Sequence, residues 1–295
     1  MNYILHLLVL VCIYGILAVS LDLVLGFAGM LSIAQAAFYG IGAYVSALMA
    51  INLGAPFFIN LAGAMLCAGI VSAIVVVPTL HIKGEYLAIV TFSFQIIVYS
   101  VFRNWSVVTG GPMGIPAIPR PVILGVTLNT PLEFLLLAIP VLLSVVGISL
   151  WISHSPFGRV LKGIREDELL AVSLGKFTAR FKTQAFTLSA MLAASAGCLY
   201  AHYITFVDPS TFTIMESIFI LSLVVIGGAG SVWGPLLGAA VLVILPEVLR
   251  FLGLPSHYGG NVRQIVYGSL LIVFMLLRPQ GLVGRFGFGG THERE

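Results

Sequence analysis

Nine apolar stretches constrain the fold of this chain more than any other feature of its sequence. They are residues 3–21, 32–50, 58–77, 86–103, 131–152, 184–206, 213–228, 234–250 and 263–278. Most approach the roughly 20 apolar residues that a helix needs to cross a bilayer. Hydrocarbon offers no hydrogen-bond partners, and a helix supplies partners for its own backbone N–H and C=O groups. The sequence therefore predicts an all-α polytopic membrane protein with about 8–10 transmembrane helices.

The composition agrees with a chain solvated by lipid. Hydrophobic residues make up 59% and charged residues 8% of the 295 positions, whereas about a quarter of the residues in soluble domains are charged. The net charge of +3 comes from basic residues that flank apolar stretches and have no aromatic residues interleaved. Membrane topology accounts for such a pattern, so we expect membrane lipid as a partner and no nucleic acid.

Residues 153–182 form the one charged island in the sequence. This charged island carries six of the fourteen Lys and Arg residues. Because basic residues of short loops stay in the cytoplasm, the charged island is predicted to lie inside. If all nine stretches span the membrane, the loops before and after the charged island alternate between outside and inside, and ten of the fourteen basic residues then lie inside. No Lys or Arg precedes Lys83, so the chain starts outside with nine spans, or inside with eight or ten.

The charged island also contains signals for local folding. Ser155-Pro156 is typical of a helix start, and residues 166–174 predict a short helix that Gly175 ends. This helix carries an apolar set: Leu169, Leu170, Val172 and Leu174. Such residues are unusual in a purely solvated loop. Two interpretations stay open, docking to a cytoplasmic protein or an interfacial helix resting on lipid headgroups.

Glycine interrupts two of the predicted spans. Gly26-Phe27-Ala28-Gly29 precedes one stretch, and Gly227-Gly228-Ala229-Gly230 divides another. Non-helical backbone at membrane depth needs protein or a water-filled cavity around it, so we predict Gly-broken or re-entrant segments and a possible internal repeat. Small residues also recur at helix-packing spacing, which favours a compact bundle. These pairs are Ala36 with Gly40, Ala193 with Gly197, and Gly234 with Gly238.

Polar residues share one face in each of two predicted spans. Thr91, Gln95 and Tyr99 follow one another at helical spacing, and Ser32, Gln35 and Tyr39 do much the same. A polar group in hydrocarbon is costly unless it is hydrogen-bonded or faces water. The two faces therefore line a substrate path or form interhelical hydrogen bonds, and the sequence leaves both interpretations open.

The sequence offers no catalytic residues, cofactor motif or energy source of its own. Gly175-Lys176 is followed by Phe177 rather than Ser or Thr, so there is no phosphate-binding loop, and driving ATP would have to bind another chain. The scattered Cys and His residues lack metal-site spacing, so no metal is expected. The acidic residues outside the charged island and the C-terminal tail are predicted near span ends, which argues against an ion-coupled carrier. They are Asp22, Glu85, Glu133, Asp208, Glu216 and Glu247.

Six ordered segments resemble the LivM-type permeases of branched-chain amino acid ABC importers. They are residues 26–44 (GFAGMLSIAQAAFYGIGAY), 83–91 (KGEYLAIVT), 109–111 (TGG), 155–175 (SPFGRVLKGIREDELLAVSLG), 225–239 (VIGGAGSVWGPLLGA) and 278–282 (RPQGL). Because they occur in the same order along nearly the whole chain, the resemblance is specific.

The resemblance implies a single transmembrane permease domain over residues 1–295, in a bacterial inner membrane. It implies four partners: a LivH-like permease, two cytoplasmic ATPases that bind ATP, and a periplasmic binding protein. The charged island would be the cytoplasmic coupling loop. Its ATPase-coupling residues would be Arg165, Glu166, Asp167, Glu168, Leu170, Leu174 and Gly175, and the possible path residues are Gln35, Tyr39, Thr91, Gln95 and Tyr99.

The cargo stays open within this resemblance. Branched-chain or related hydrophobic amino acids come first, and permeases of the same type for urea, short amides or aromatic acids are alternatives. Two other classes of function are disfavoured: a secondary carrier, because no ionisable residue is predicted at mid-membrane, and a non-transporting scaffold, because of the Gly-broken spans.

Overall fold

The computed structural model describes residues 2–79, 84–123, 126–251, 269 and 281–283, and most of these residues are helical. The α-helices are α1 Asn2–Asp22, α2 Gln35–Leu53, α3 Phe57–Thr79, α4 Gly84–Asn104, α5 Ser106–Thr109, α6 Pro131–His154, α7 Pro156–Glu166, α8 Glu168–Ser173, α9 Thr178–Ile204, α10 Ile214–Gly227 and α11 Trp233–Phe251. A π-helical turn, Leu23–Phe27, extends α1. Short 3₁₀ turns lie at Gly111–Met113 and Pro209–Phe212. The two-residue strands β1 (Val122–Ile123) and β2 (Val126–Thr127) pair antiparallel, with Val122 opposite Thr127.

Within the described residues, six helices are long and apolar enough to cross a membrane: Tyr3–Phe27, Gln35–Leu53, Phe57–Val76, Tyr86–Asn104, Pro131–His154 and Thr178–Ile204. Two apolar helices are shorter, Ile214–Gly227 and Trp233–Leu245. A helix coincides with each of the first eight predicted stretches, which confirms an all-α polytopic membrane protein. The ninth stretch, residues 263–278, lies outside the described residues.

Contacts between helix ends show which way the helices run. At its start α1 meets the end of α9, where His6 Nδ1 lies 2.7 Å from Tyr203 Oη. At the end of the π-helical turn, Lys162 of the charged island lies 5.3 Å from the ring centre of Phe27. Helix α1 therefore begins at the end of the bundle opposite the charged island. The basic residues alone left the side of the N-terminus open. The structure places the start of the first span on the side opposite residues 153–182.

The two predicted breaks are present. Residues 28–34 are non-helical between the π-helical turn and α2, so α2 begins three residues later than the predicted stretch. The second break follows Gly227, where Gly228 and Gly230 adopt positive φ angles of 108° and 82°. The backbone N–H groups of Leu282 and Val283 donate to the carbonyl oxygens of Ile226 and Gly227. These bonds supply partners for carbonyl groups that the end of α10 leaves without intrahelical donors.

Small residues let α2 and α9 approach backbone to backbone. A methyl group on Gly42 would overlap the carbonyl oxygen of Ala194, and one on Gly197 would overlap the carbonyl oxygen of Tyr39. Gly234 and Gly238 of α11 lie equally close to the backbone of residues 223–228, as their spacing predicted. Gly40 differs, because it faces the rings of Phe102 and Phe212 instead of a backbone. Helix α9 is the most deeply buried of the six long helices.

Gly197, in the α2–α9 contact, and Gly147, on the exposed side of α6, predict opposite effects of a Gly→Ala substitution. Gly197→Ala should destabilise the protein by about 2–3 kcal/mol, because a rigid carbonyl oxygen occupies the space. Gly147→Ala is the matched control, since a methyl group there would meet nothing within 4 Å, and it should stabilise α6 by about 0.5–1 kcal/mol. Thermal unfolding followed by circular dichroism in detergent measures both. Equal melting temperatures for the two variants would contradict this account of the packing.

Candidate functional site

The charged island folds into two helices with well-defined caps. Ser155 caps α7, since its hydroxyl accepts from Gly158 N–H, and Pro156 takes the first helical position, as predicted. The predicted helix over residues 166–174 is wrong at its start, because α8 begins at Glu168. Asp167 is extended (φ −155°, ψ 107°) and its carboxylate accepts from Leu170 N–H at 3.0 Å. An Asp that caps a helix cannot lie within it, and Gly175, with φ +75°, follows α8 as predicted.

Helix α8 presents an apolar surface to the surroundings. This α8 surface consists of Leu169, Leu170, Val172, Leu174 and Phe177. Leu169 and Phe177 are about 80% exposed, which is an unfavourable arrangement for large apolar side chains in water. Phe177 was not among the predicted coupling residues, although an aromatic residue directly after Lys176 could have indicated it. The arrangement suits a surface that another molecule covers.

Acidic residues of α7 and α8 are held in ion pairs beside this surface. Glu166 pairs with Arg165 at 2.7 Å, and Glu168 pairs with Lys182 of α9 at 2.5 Å. Exposed pairs of this kind contribute about 0–1 kcal/mol each. Their consequence is mainly geometric: the Glu168–Lys182 pair joins α8 to the start of α9, whereas the Glu166–Arg165 pair lies within α7.

Arg165 connects the charged island to the first helix break. Its side chain is only 14% exposed, and its Nη1 donates to the carbonyl oxygen of Gly26 in the π-helical turn at 2.5 Å. Gly29 lies against the aliphatic part of the same side chain, where a methyl group could not fit. A π-helical turn leaves carbonyl groups without their usual i+4 donors. Arg165 supplies a charged donor to one of them.

Asp22 connects the first break to the second. Its Oδ1 accepts from the backbone N–H of Gly230 at 2.8 Å, and its side chain is 1% exposed. Asp22 is the last residue of α1, and the π-helical turn carries the first span five residues further, to Phe27. Gly26 lies between Asp22 and Gly230, with no room for a side chain. The two Gly-x-Ala-Gly segments are therefore in direct contact.

A second cluster of hydrogen-bonded polar residues surrounds the start of α2. Gln35 Nε2 donates to Ser20 Oγ at 2.6 Å, and the backbone N–H of Ile33 donates to Thr91 Oγ1 at 3.1 Å. The backbone N–H of Ala36 donates to Ser217 Oγ. These bonds supply partners for backbone and side-chain donors around a buried helix start.

Gln95 completes this network between α4 and α10. Its Nε2 donates to the carbonyl oxygen of Phe212 at 2.9 Å, and its Oε1 accepts from Ser217 Oγ at 3.2 Å. Ser20 and Ser217 were not among the predicted residues, and a lone Ser in an apolar helix gives little signal. Of the five predicted path residues, Gln35, Thr91 and Gln95 thus belong to one network.

The two predicted tyrosines lie apart from these bonds. Tyr39 is buried and packs edge to face against Tyr200 and Phe212. Tyr99 is half-exposed on α4. The bonds made by Gln35, Thr91 and Gln95 favour interhelical hydrogen bonding over an open polar lining in this conformation. A role in a substrate path stays a prediction for all five residues.

These features define a class of protein: a polytopic α-helical membrane protein with two discontinuous helices in contact and a charged, apolar-faced loop joined to one of them. Discontinuous helices of this kind are typical of transporters. Comparison with known proteins agrees. Residues 3–275 match the family model described as the permease component of branched-chain amino acid transport systems.

Curated relatives include both types of permease in such systems. The chain is 35% identical to the high-affinity branched-chain amino acid transport system permease protein LivM of Escherichia coli K12, over 93% of this chain and 68% of that protein. It is 35% identical to LivM of Salmonella typhimurium, over 92% and 68%. It is 28% identical to LivH of Escherichia coli K12, over 92% and 91%. No solved structure matches.

The chain belongs to the family of branched-chain amino acid transport system permeases. The match covers nearly the whole length of the predicted bundle, so the family assignment rests on the membrane-spanning helices as well as on the charged island.

Proposed function

We propose that the protein is the transmembrane permease subunit of an ATP-driven importer for branched-chain or related hydrophobic amino acids. It would work in a bacterial inner membrane, with the charged island in the cytoplasm. The observation that carries the proposal is the exposed α8 surface, joined through Arg165 to the broken first span. The printed function of the LivM relatives supports the choice of cargo.

The partners follow from this role. A LivH-like permease would complete the membrane part, since relatives of both LivM and LivH types match the chain. Two cytoplasmic ATPases would bind and hydrolyse ATP, because the sequence has no phosphate-binding loop of its own. A periplasmic binding protein would deliver the amino acid. The chain itself would need no cofactor and would not be an enzyme.

The proposed mechanism begins at the α8 surface. An ATPase covers Leu170, Leu174 and their apolar neighbours, and burial of this surface supplies part of the binding free energy. When the ATPase moves, α8 and α7 move with it, since Asp167 links the two helices directly. Arg165 then pulls on the carbonyl group of Gly26, and the contact between Asp22 and Gly230 passes the displacement to the second break.

The breaks suit such a movement. A non-helical segment can change its backbone angles without disrupting a hydrogen-bonded helix, so residues 28–34 can act as a hinge. Helix α2 starts at this hinge: its first turn holds Gln35 and the bond from Ala36 to Ser217, and Ile33 of the hinge bonds Thr91. Displacement of α2 would exchange these bonds for contacts with water or substrate and so open a path.

The first test is the source of energy. Reconstituted alone in vesicles, the protein should not accumulate leucine under a proton or sodium gradient, and uptake should require the ATPases, the second permease and ATP. This test is needed because Asp22 is a buried carboxylate within a membrane span, a feature that ion-coupled carriers use. Gradient-driven accumulation by this chain alone would assign it to the secondary carriers instead.

The second test is the α8 surface. Leu170→Asp or Leu174→Asp should place an unpaired charge in the ATPase contact and weaken it by several kcal/mol. Ser173→Asp is the matched control, because it adds the same charge at an exposed polar position of α8. Co-purification of the ATPases, followed by uptake in vesicles, measures the effect. If the Leu variants bind ATPases and transport like Ser173→Asp, α8 is an interfacial helix and the coupling role is wrong.

A further inference from the structure

Two adjoining cavities lie at the end of the bundle opposite the charged island. The first has a volume of about 230 Å³ and a mixed lining, with polar residues from α1, α9 and the segment that precedes α6, and Pro131 and Phe134 from α6. The second is an apolar groove of about 510 Å³ along α6 and the start of α3. Leu128 lines both. A ligand with a polar head and an apolar tail could therefore occupy the two together.

The polar cavity carries positive charge. Arg120 lines it, and Arg120 forms no ion pair with any residue that the structure describes. One guanidinium nitrogen donates to the carbonyl oxygen of Asn129, which leaves further N–H donors of the planar group for a ligand. His6 and Tyr203, joined by a 2.7 Å hydrogen bond, also line this cavity. These groups suit the oxygen atoms of a phosphate ester.

Among the described residues that line the two cavities, the one carboxylate, Glu133, is already hydrogen-bonded. Glu133 lines the groove, and its Oε2 accepts from the backbone N–H groups of Asn129 and Thr130 at 2.8 and 3.0 Å. These bonds form the N-terminal capping box of α6 together with the Thr130 hydroxyl. Glu133 forms no ion pair with Arg120 among the described residues and instead caps the start of α6, where the helix dipole favours its charge.

The groove suits a hydrocarbon chain. Leu61, Leu136, Leu137 and Val141 supply apolar walls, and Pro140 adds a surface without an N–H group. Phe58 and Leu136 are more than half exposed, so the groove opens toward the hydrocarbon around the bundle. The groove therefore begins at the polar cavity and continues along α6 into the depth of the membrane.

We propose that these cavities bind one phospholipid of the leaflet opposite the charged island, with its phosphate at Arg120 and an acyl chain along α6. The arrangement combines charge complementarity at the membrane surface with an apolar groove that continues into the bilayer. A soluble phosphate ester would fill only the first cavity. Bound lipid would brace the starts of α1 and α6 against the end of α9, since His6, Thr130 and Tyr203 all line the polar cavity.

Native mass spectrometry of the delipidated full chain, titrated with phosphatidylglycerol, tests the proposal. Arg120→Gln should weaken binding of the first lipid about tenfold, which corresponds to loss of one charge-assisted hydrogen bond. Arg103→Gln is the matched control, because Arg103 is also exposed at this end but lines neither cavity. Ser144→Phe should fill the groove and also weaken binding, whereas Leu143→Phe, next to it on α6 and outside the groove, should not.

Three results would overturn the assignment. Equal lipid binding by all four variants would mean that the protein holds only a non-specific lipid shell. Displacement of the lipid by inorganic phosphate, with Ser144→Phe unaffected, would mean a simple anion site. Loss of binding only in variants that also lose their thermal unfolding transition would mean a folding defect. The proposal requires that Arg120→Gln and Ser144→Phe unfold like their controls while the first lipid is bound more weakly.

Discussion

One partly buried hydrogen bond, from the backbone N–H of Gly230 to the carboxylate of Asp22, holds together the two places where the helical bundle is interrupted. Each interruption exposes backbone groups that hydrocarbon cannot satisfy. The structure meets this cost by bringing the two breaks together. Asp22 hydrogen-bonds the second break, with space left by Gly26, and Arg165 hydrogen-bonds the first break, with space left by Gly29.

The same constraint explains the polar network at the start of α2. Helix α2 starts among other helices, so its first N–H groups depend on side chains from α4 and α10. Gln95 holds one of these side chains, Ser217, in place. Residues that look like a polar path in the sequence are thus engaged in supporting a helix start. A path through them requires that α2 moves.

Much of the fold follows from periodicity and composition alone. Eight apolar stretches correspond to helices because the hydrophobic requirement of a span is simple and local. Ser155 and Gly175 were predictable for the same reason, since capping depends on a few adjacent residues. The extension of α1 to Phe27 was not predictable, because it depends on Gly230, more than 200 residues away. The sequence did not show that α8 begins after Asp167 rather than at Glu166, because this depends on the extended backbone at Asp167.

The contacts of the site could be predicted least. The sequence indicates that Leu170 and Leu174 are exposed and that Arg165 is basic, but it cannot show that Arg165 reaches Gly26. This contact makes the charged island and the broken spans one connected unit. It joins the segment that carries the α8 surface to the first helix break, a contact that no local sequence pattern contains.

The central claim is that Arg165 transmits movement from the charged island to the helix breaks. The most direct measurement is the number of amino acids imported per ATP hydrolysed by the reconstituted transporter carrying Arg165→Gln. Arg159→Gln, at an exposed position of α7, is the control, and Arg165→Lys tests whether charge alone suffices. The account predicts that Arg165→Gln retains bound ATPases and ATP hydrolysis but imports about tenfold less per ATP, as expected for the loss of a charged hydrogen bond at the low end of its usual range, about 1.5 kcal/mol. An unchanged ratio of import to hydrolysis would contradict it.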